Sequence, residues 1–108
     1  MGLTVGLLEQ LRHDIPTIVL RSGSATYIGI GQAGEVVRWL AARGHQVIGL
    51  EGFSCDGTAI RPSLEHIADL SDAQGPEAAT RAAVTILDEW RGSIEWIDIE
   101  SEPGPPSV

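Results

Sequence analysis

The chain has 108 residues, a net charge of -8 and a hydrophobic fraction of 43 %, which together indicate a single soluble globular domain. A chain of this length buries roughly two-thirds of the surface that its unfolded form exposes, so it needs neither disulfides nor a structural metal to fold. No apolar run reaches the ~18 residues that a membrane-spanning helix requires. Length and composition therefore exclude a membrane-spanning helix and leave no room for a second domain.

The first part of the chain predicts a helix, a hairpin and a second helix. Leucines at helical spacing indicate a short amphipathic helix over residues 3–12. β-branched residues over 17–22 and a second run over 25–30 predict two strands joined by a tight turn. Apolar residues on one stripe predict a helix over 33–43, which Gly44 ends.

The middle of the chain predicts a hairpin followed by a segment that fits two structures. Residues 46–53 are typical of a buried strand, and the Asp56-Gly57 pair favours a turn after which 58–61 returns antiparallel. The segment 64–70 (LEHIADL) has apolar residues at helical spacing for about two turns, but an extended conformation also fits it.

The remaining elements are a helix and a last strand. Pro76 occupies the first position of a strongly amphipathic helix that Gly92 ends, and residues 93–100 are typical of a strand. We therefore expect one globular domain over residues 1–100 and a flexible proline-rich tail over 101–108. The element order predicts an α/β or α+β fold, a two-layer sandwich with one mixed sheet of about four to five strands and three helices packed mainly on one face.

The charged residues indicate which partners the protein avoids. All seven Lys or Arg residues are arginine, so Schiff-base chemistry and the lysine of a P-loop are excluded. Residues 51–108 hold three arginines and twelve acids, a balance of -9, whereas the first fifty residues have a balance of +1. This excess of carboxylates repels phosphate backbones and anionic membranes. We expect a basic protein surface as the partner, with no nucleic acid and no membrane.

The stretch YIGIGQAGEVVRWLAARGHQVIGLE contains Gly29, Gly31 and Gly34 in the spacing G-x-G-x-x-G after a predicted strand. It resembles the dinucleotide-binding Rossmann fingerprint over about a quarter of the chain. The resemblance implies that Gly29 permits a tight turn, that Gly31 lets the backbone approach a phosphate, and that Gly34 allows close packing of helix and strand. Glu51 stands where that family has its ribose-binding acid. Alternatively, the glycines serve a strand-to-helix turn without a ligand.

Other chemistries have little support in the sequence. The single Cys55 cannot form an internal disulfide, and with His66 and Asp69 it makes neither a C-x-x-C pair nor a complete zinc ligand set. No G-x-S-x-G elbow occurs. We expect no catalytic residue, no metal and no cofactor. The N-terminal residues lack the features of a signal peptide, which predicts a cytoplasmic protein.

The leading hypothesis is a small, acidic, non-catalytic protein-binding module, analogous in size and charge to inhibitors such as toxin-neutralising immunity proteins. Carboxylates in the acidic half would steer a basic partner, and one aromatic residue would anchor it. These partner-binding residues are Glu51, Phe53, Asp56, Glu65, Asp69 and Asp72. The alternative is a mononucleotide or phosphate-ligand binding domain built on Gly29, Gly31, Gly34 and Glu51. A third hypothesis is a structural subunit of a homo-oligomer. Trp39, at the edge of its helix's apolar stripe, is either a half-exposed interface anchor or part of the core edge.

Overall fold

The computed structural model describes residues 5–15, 19–22, 25–57 and 59–103, and within these ranges it contains three helices and one five-stranded sheet. The elements in chain order are α1 (Val5–Asp14), β1 (Val19–Ser22), β2 (Ala25–Gly29), α2 (Ile30–Ala42), β3 (His45–Asp56), β4 (Ala59–Asp69), α3 (Pro76–Trp90) and β5 (Trp96–Pro103). The strands lie in the order β1-β2-β5-β3-β4. The fold is therefore of the α+β class, which confirms one of the two predicted classes.

The prediction of a mixed sheet is wrong, because every pair of neighbouring strands is antiparallel. Two hairpins, β1–β2 and β3–β4, account for two of these pairs. The helical crossover through α2 makes β2 and β3 parallel to each other, but β5 lies between them and runs antiparallel to both. The insertion of the last strand thus removes the one parallel contact that the crossover would otherwise produce.

The segment 64–70 is extended rather than helical, since residues up to Asp69 belong to β4. Leu50 of β3 pairs with Ala68, and Gly49 pairs with Asp69. The ladder with β3 pairs residues 67–69 of this segment, and this tertiary pairing overrides the local helical spacing. Two of the apolar residues that suggested a helical stripe are exposed, Leu64 by 83 % and Ile67 by 55 %, whereas the third, Ala68, packs against the core.

Several other element boundaries differ from the predictions. α1 ends at Asp14 rather than at residue 12, β3 ends at Asp56 rather than at residue 53, and β5 begins at Trp96 rather than at residue 93. α2 begins at Ile30, three residues before the predicted start, so the glycine-rich stretch enters the helix. β5 continues to Pro103, because residues predicted to be in the tail pair with the start of β3, with Ser101 opposite Val47. Several predicted positions lie outside the described residues. They are 3–4 of the first helix, 17–18 and the turn 23–24 of the first hairpin, 58 of the return strand and 104–108 of the tail.

One apolar cluster joins the helices to the sheet. Ile28 is opposite Ile97 and Leu50 is opposite Ile99, and since directly opposed residues of antiparallel strands share a face, these four define what we call the first face. Burial of each large apolar side chain contributes about 1.5–3 kcal/mol. The helical members of the cluster are Leu8, Leu11, Ala33, Val36, Val37, Leu40, Ala83 and Leu87. The cluster therefore contains these four residues of the first face together with residues of all three helices.

Trp39 ties α2 to the end of α1. Its Nε1 donates a hydrogen bond to Asp14 Oδ2 at 2.9 Å, and Arg43 donates another to the same oxygen. The Arg43 guanidinium also lies 4.4 Å from the centre of the Trp39 ring. Hydrogen bonds from Trp39, Arg43 and His13 lower the pKa of Asp14 to about 2. The half-buried position of this tryptophan is thus explained by an internal contact between helices.

Candidate protein-binding surface

The face of the sheet opposite the first face, which we call the second face, carries the residues that alternate with the core residues along each strand. Glu51 follows Leu50 on β3, and Asp98 lies between Ile97 and Ile99 on β5. Together with their neighbours in register, the residues of the second face are Tyr27, Gly49, Glu51, Phe53, Ile67, Asp69, Trp96, Asp98 and Glu100. They form an aromatic end and an acidic end.

The acidic end places carboxylates on three adjacent strands. Glu51 is directly opposite Asp98, and Gly49 has Glu100 on one side and Asp69 on the other. Like charges directly opposite each other in an antiparallel pair destabilise a sheet. Burial raises the pKa of Asp98, and the negative charges of Glu51 and Glu100 raise it further. The sheet therefore holds these carboxylates together at a cost in stability.

A cavity of about 340 Å³ opens at the acidic end of the second face. Gly49 contributes no side chain to it, and three carboxylate residues border it. These are Glu51, Asp69 and Glu100. Ile67 adds an apolar wall, so the cavity combines carboxylate oxygens with hydrocarbon surface. Such a lining suits a side chain with an apolar stem and a cationic head.

The aromatic end is built around Phe53, which lies opposite Trp96. The rings of Tyr27 and Phe53 meet edge to face, with 4.8 Å between their centres. Phe53 is only 9 % exposed, whereas Tyr27 and Trp96 are half-buried. The accessible aromatic surface at this end is therefore that of Tyr27 and Trp96, whereas Phe53 is largely buried.

Of the predicted partner-binding residues, the structure brings Glu51, Phe53 and Asp69 onto the second face and leaves the other three elsewhere. Asp56 lies at the tip of the β3–β4 hairpin, with its Oδ2 3.6 Å from Arg61 Nε. Glu65 lies in the part of β4 where the register with β3 shifts. Those two and Asp72, in the turn after β4, are exposed.

The sequence reasoning missed Asp98 and Glu100. The signal that could have found them is the strict alternation of Ile97, Asp98, Ile99 and Glu100, which puts both acids on one face of a strand. What the alternation cannot show is that β5 lies next to β3, and it is this pairing that brings the two acids to Glu51.

The glycines of the Rossmann-like stretch do not meet the requirements that the resemblance implied. Gly29 caps α2 with φ of -58°, and neither Gly31 nor Gly34 has a positive φ. A Cβ on Gly31 would meet no atom within 4 Å, and one on Gly34 would meet only Arg38 Nη1 at 3.7 Å. Glu51 is on the second face, whereas the buried residues of α2 pack with the first face. The structure therefore does not bring Glu51 to these glycines.

A smaller cavity of about 230 Å³ lies beside the first turns of α2. Charged side chains from α2 and the end of α3 border it together with two of the glycines. Its lining is Ile30, Gly31, Gly34, Glu35, Arg38, Val84, Leu87, Asp88 and Arg91. Two arginines and two acids are thus balanced around this space.

The remaining candidates for chemistry, His66 and Cys55, make local contacts within the chain. His66 Nδ1 lies 2.6 Å from Ser63 Oγ, and its ring meets Trp90 edge to face at 5.3 Å. Cys55 is exposed, with its thiol 3.3 Å from the carbonyl of Gly57. Within the described ranges, no three His, Cys, Asp or Glu residues are arranged to hold a metal ion. None of the helices that the structure describes is long and apolar enough to cross a membrane.

Comparisons of this chain with models of protein families, with curated proteins and with solved structures find no match. The geometry and the electrostatics of the two sheet faces are therefore the basis for a functional proposal.

Proposed function

We propose that this protein is a small, acidic, non-catalytic module that binds a basic surface of another protein, in the manner of an inhibitor that covers its target. The observation that carries the proposal is the juxtaposition of Glu51 and Asp98 across neighbouring strands, with Glu100 beside them. A sheet gains nothing from opposing carboxylates, and a cation from a partner would remove the repulsion. We place the protein in the cytoplasm.

The proposal includes the arrangement of the layers. We propose a two-layer sandwich in which the three helices pack mainly on the first face, leaving the second face for a partner. Support comes from the apolar cluster, which joins helical residues to Ile28, Leu50, Ile97 and Ile99. The second-face residues Ile67 and Asp69 are exposed. Helix packing on one face alone would account for both observations.

The overall charge supports a basic partner as well. Twelve of the fifteen acids lie in residues 51–108, and this field attracts a cationic surface over distances up to about the Debye length of 8–10 Å at physiological ionic strength. Acids away from the second face, among them Asp56, Glu65 and Asp72, would contribute to this attraction without touching the partner.

The test is a pull-down from lysate at low and moderate salt with the wild type and two charge-matched double variants. The first is Glu51→Gln with Asp98→Asn, and the control is Glu9→Gln with Glu89→Gln, which removes two exposed helical acids. We expect a basic protein, identified by mass spectrometry, to be retained by the wild type and the control but weakly by the first variant. Retention of no basic protein at either salt concentration would overturn the proposal.

The alternative of a phosphate-ligand binding domain is favoured by one observation, that Arg38 and Arg91 border the small cavity beside Gly31 and Gly34. Amide groups in the first turn of a helix attract anions. The cavity of about 230 Å³ is below the 300–1,000 Å³ typical of small-molecule sites, so a phosphate-sized anion fits better than a mononucleotide. Thermal shift measurements with phosphate and with nucleotides test this, because a ligand at 100 times its Kd stabilises by ~2.7 kcal/mol. No shift with any of them rejects the alternative.

A further inference from the structure

The second face has two chemically different ends that follow one strand. Along β5, Trp96, Asp98 and Glu100 are on this face and alternate with the buried Ile97 and Ile99. A strand rises about 3.4 Å per residue, so Asp98 lies about 7 Å and Glu100 about 14 Å from Trp96 along the strand. Aromatic surface and carboxylates are therefore presented in a line of defined spacing.

The neighbouring strands widen each end of this line. Phe53 of β3 lies opposite Trp96, and its ring meets edge to face that of Tyr27, which precedes Ile28 on β2 and is level with Asp98 in the register. At the other end Glu51 lies opposite Asp98, and Ile67 of β4, which is 55 % exposed, lies opposite Glu51. The line is thus broad enough to contact an element of secondary structure along one of its sides.

The negative charge of the acidic end determines which kind of molecule can bind to the second face. A second copy of this chain would bring carboxylates against carboxylates and would be repelled, as would an anionic segment. A cationic partner is complementary, since it would neutralise Asp98 and the neighbouring Glu51 in a half-buried environment. The accessible rings of Tyr27 and Trp96 add a place for an apolar side chain.

The hydrogen-bonding needs of the backbone indicate which secondary structure the bound segment of the partner has. A lone extended segment laid on the face of a sheet would bury amide and carbonyl groups without partners, whereas a helix satisfies these groups internally. In a helix, residues i+4 and i+8 lie about 6 Å and 12 Å along the axis from residue i. These distances approximate the spacing from Trp96 to Asp98 and to Glu100.

We propose that the second face is the docking surface for an amphipathic basic helix of the partner protein. The helix places an apolar side chain against Tyr27 and Trp96 and arginine or lysine side chains over Asp98, Glu51 and Glu100. The cavity beside Gly49 accepts the cationic side chain farthest from the aromatic end. This inference rests on the proposed function and specifies the surface and the partner's chemistry.

The test uses fluorescein-labelled, alanine-based helical peptides and the full chain, with binding measured by fluorescence anisotropy at low salt. The matched peptide has leucine at position i and arginine at i+4 and i+8. A second peptide of the same composition has its arginines at i+2 and i+6, on the opposite side of the helix, and a third has glutamate in place of arginine. We expect the matched peptide to bind at least tenfold more tightly than either.

The location is tested with the Glu51→Gln, Asp98→Asn double variant and with the Glu9→Gln, Glu89→Gln control. We expect at least a tenfold loss of affinity for the first and less than a twofold change for the second. Amide chemical shifts recorded on the wild type give an independent map, with the largest changes expected on β3 and β5. Equal binding of the matched and rearranged peptides, or shift changes confined to α2 and α3, would overturn the docking surface.

The experiments distinguish a failure of the proposed docking surface from a failure of the proposed function. If lysate yields a basic protein that the Glu51→Gln, Asp98→Asn variant retains as well as the wild type, the docking surface is wrong and the Glu51–Asp98 pair no longer supports the proposed function. The function then stands on the bound basic protein alone. If light scattering gives a mass well above the 11.5 kDa of one chain, and the same double variant changes that mass, the occupant is a second copy and the inference is overturned.

Discussion

Gly52 of β3 lies against β4 and the segment between α3 and β5, and the close packing leaves no space for a side chain at this position. A Cβ at this position would be 2.6 Å from Ile94 Cδ1 and 2.7 Å from His66 Cβ. We expect Gly52→Ala to lower the free energy of unfolding by about 1–3 kcal/mol, because the core must shift to admit the methyl group. Urea denaturation followed by circular dichroism measures the effect.

The matched control is Gly34→Ala in α2, where the added methyl group meets only Arg38 Nη1 at 3.7 Å. Alanine in a helix is more stable than glycine by about 0.5–1 kcal/mol, so this variant should be more stable than the wild type. A loss of stability would mean that Gly34 has the close-packing role implied by the Rossmann resemblance. Opposite signs for the two variants are the expected result.

Asp98 gives a second prediction about a single residue. Burial and the charges of Glu51 and Glu100 raise its pKa above 3.8. The folded protein then holds the Asp98 proton more tightly than the unfolded chain does, so stability falls as pH rises from 3.8 through the raised pKa. We expect Asp98→Asn to raise Tm at pH 7, by about 4 °C for each kcal/mol of repulsion relieved.

The pH dependence separates this cause from a general effect of charge. The advantage of Asp98→Asn should shrink as the pH is lowered, because the wild-type carboxyl then becomes neutral as well. Asp72→Asn, which removes an exposed acid from the turn after β4, is the control and should leave Tm nearly unchanged. A Tm of Asp98→Asn at or below that of the wild type at pH 7 contradicts the account.

At the scale of elements, α1 is held to α2 through one carboxylate. The hydrogen bonds from Trp39, Arg43 and His13 lower the pKa of Asp14 from 3.8 to about 2, so their contribution to stability is present above pH 3.8 and is lost as pH falls toward 2. We expect Asp14→Ala to lower Tm at pH 7 and to speed amide hydrogen exchange in α1. Near pH 2 the variant and the wild type should converge.

Glu9→Ala, on the exposed side of α1, is the control for helix propensity and should leave the exchange rates of α1 close to those of the wild type. Equal acceleration in both variants would show that Asp14 does not hold the helix. The side chain of Asp14 is a third exposed, so we expect an effect on the opening of α1 rather than on the unfolding of the whole domain.

Elements whose sequence fits only one periodicity were predictable from the sequence. Elements whose structure depends on pairing with another strand were not. α3 begins at Pro76 as the sequence predicts, because its apolar stripe and proline act locally. The segment 64–70 has a helical spacing that the ladder with β3 overrides, and β5 extends to Pro103 because His45 is opposite it. Local pattern contains no information about which strand lies alongside.

The same limit explains what the sequence revealed of the candidate surface. Glu51 and Asp69 were predictable from the acidic excess of the second half, but that excess does not separate them from Asp56 or Asp72. The separation comes from strand order, because β5 enters between β2 and β3 and brings Asp98 to Glu51. The whole molecule, rather than any one segment, thus creates the acidic end of the second face.

On this scale the net charge of -8 and the second face have different effects on binding. The overall field acts before contact and sets the association rate, whereas carboxylates that touch the partner set the dissociation rate. With the matched arginine peptide in stopped-flow measurements, we expect Glu9→Gln with Glu89→Gln to lower the association rate and leave dissociation unchanged. Glu51→Gln with Asp98→Asn should accelerate dissociation at least tenfold.

Repeating the rate measurements at different salt concentrations gives a second test of this prediction. Added salt shortens the Debye length from about 10 Å at 0.1 M to about 3 Å at 1 M, so it should slow association of all variants and erase the difference made by the two distant acids. The faster dissociation of the Glu51→Gln, Asp98→Asn variant should persist, because contact between half-buried charges is screened much less. If the two double variants instead changed both rates alike at every salt concentration, all the carboxylates would be acting only through net charge, and the second face would have no distinct part in binding.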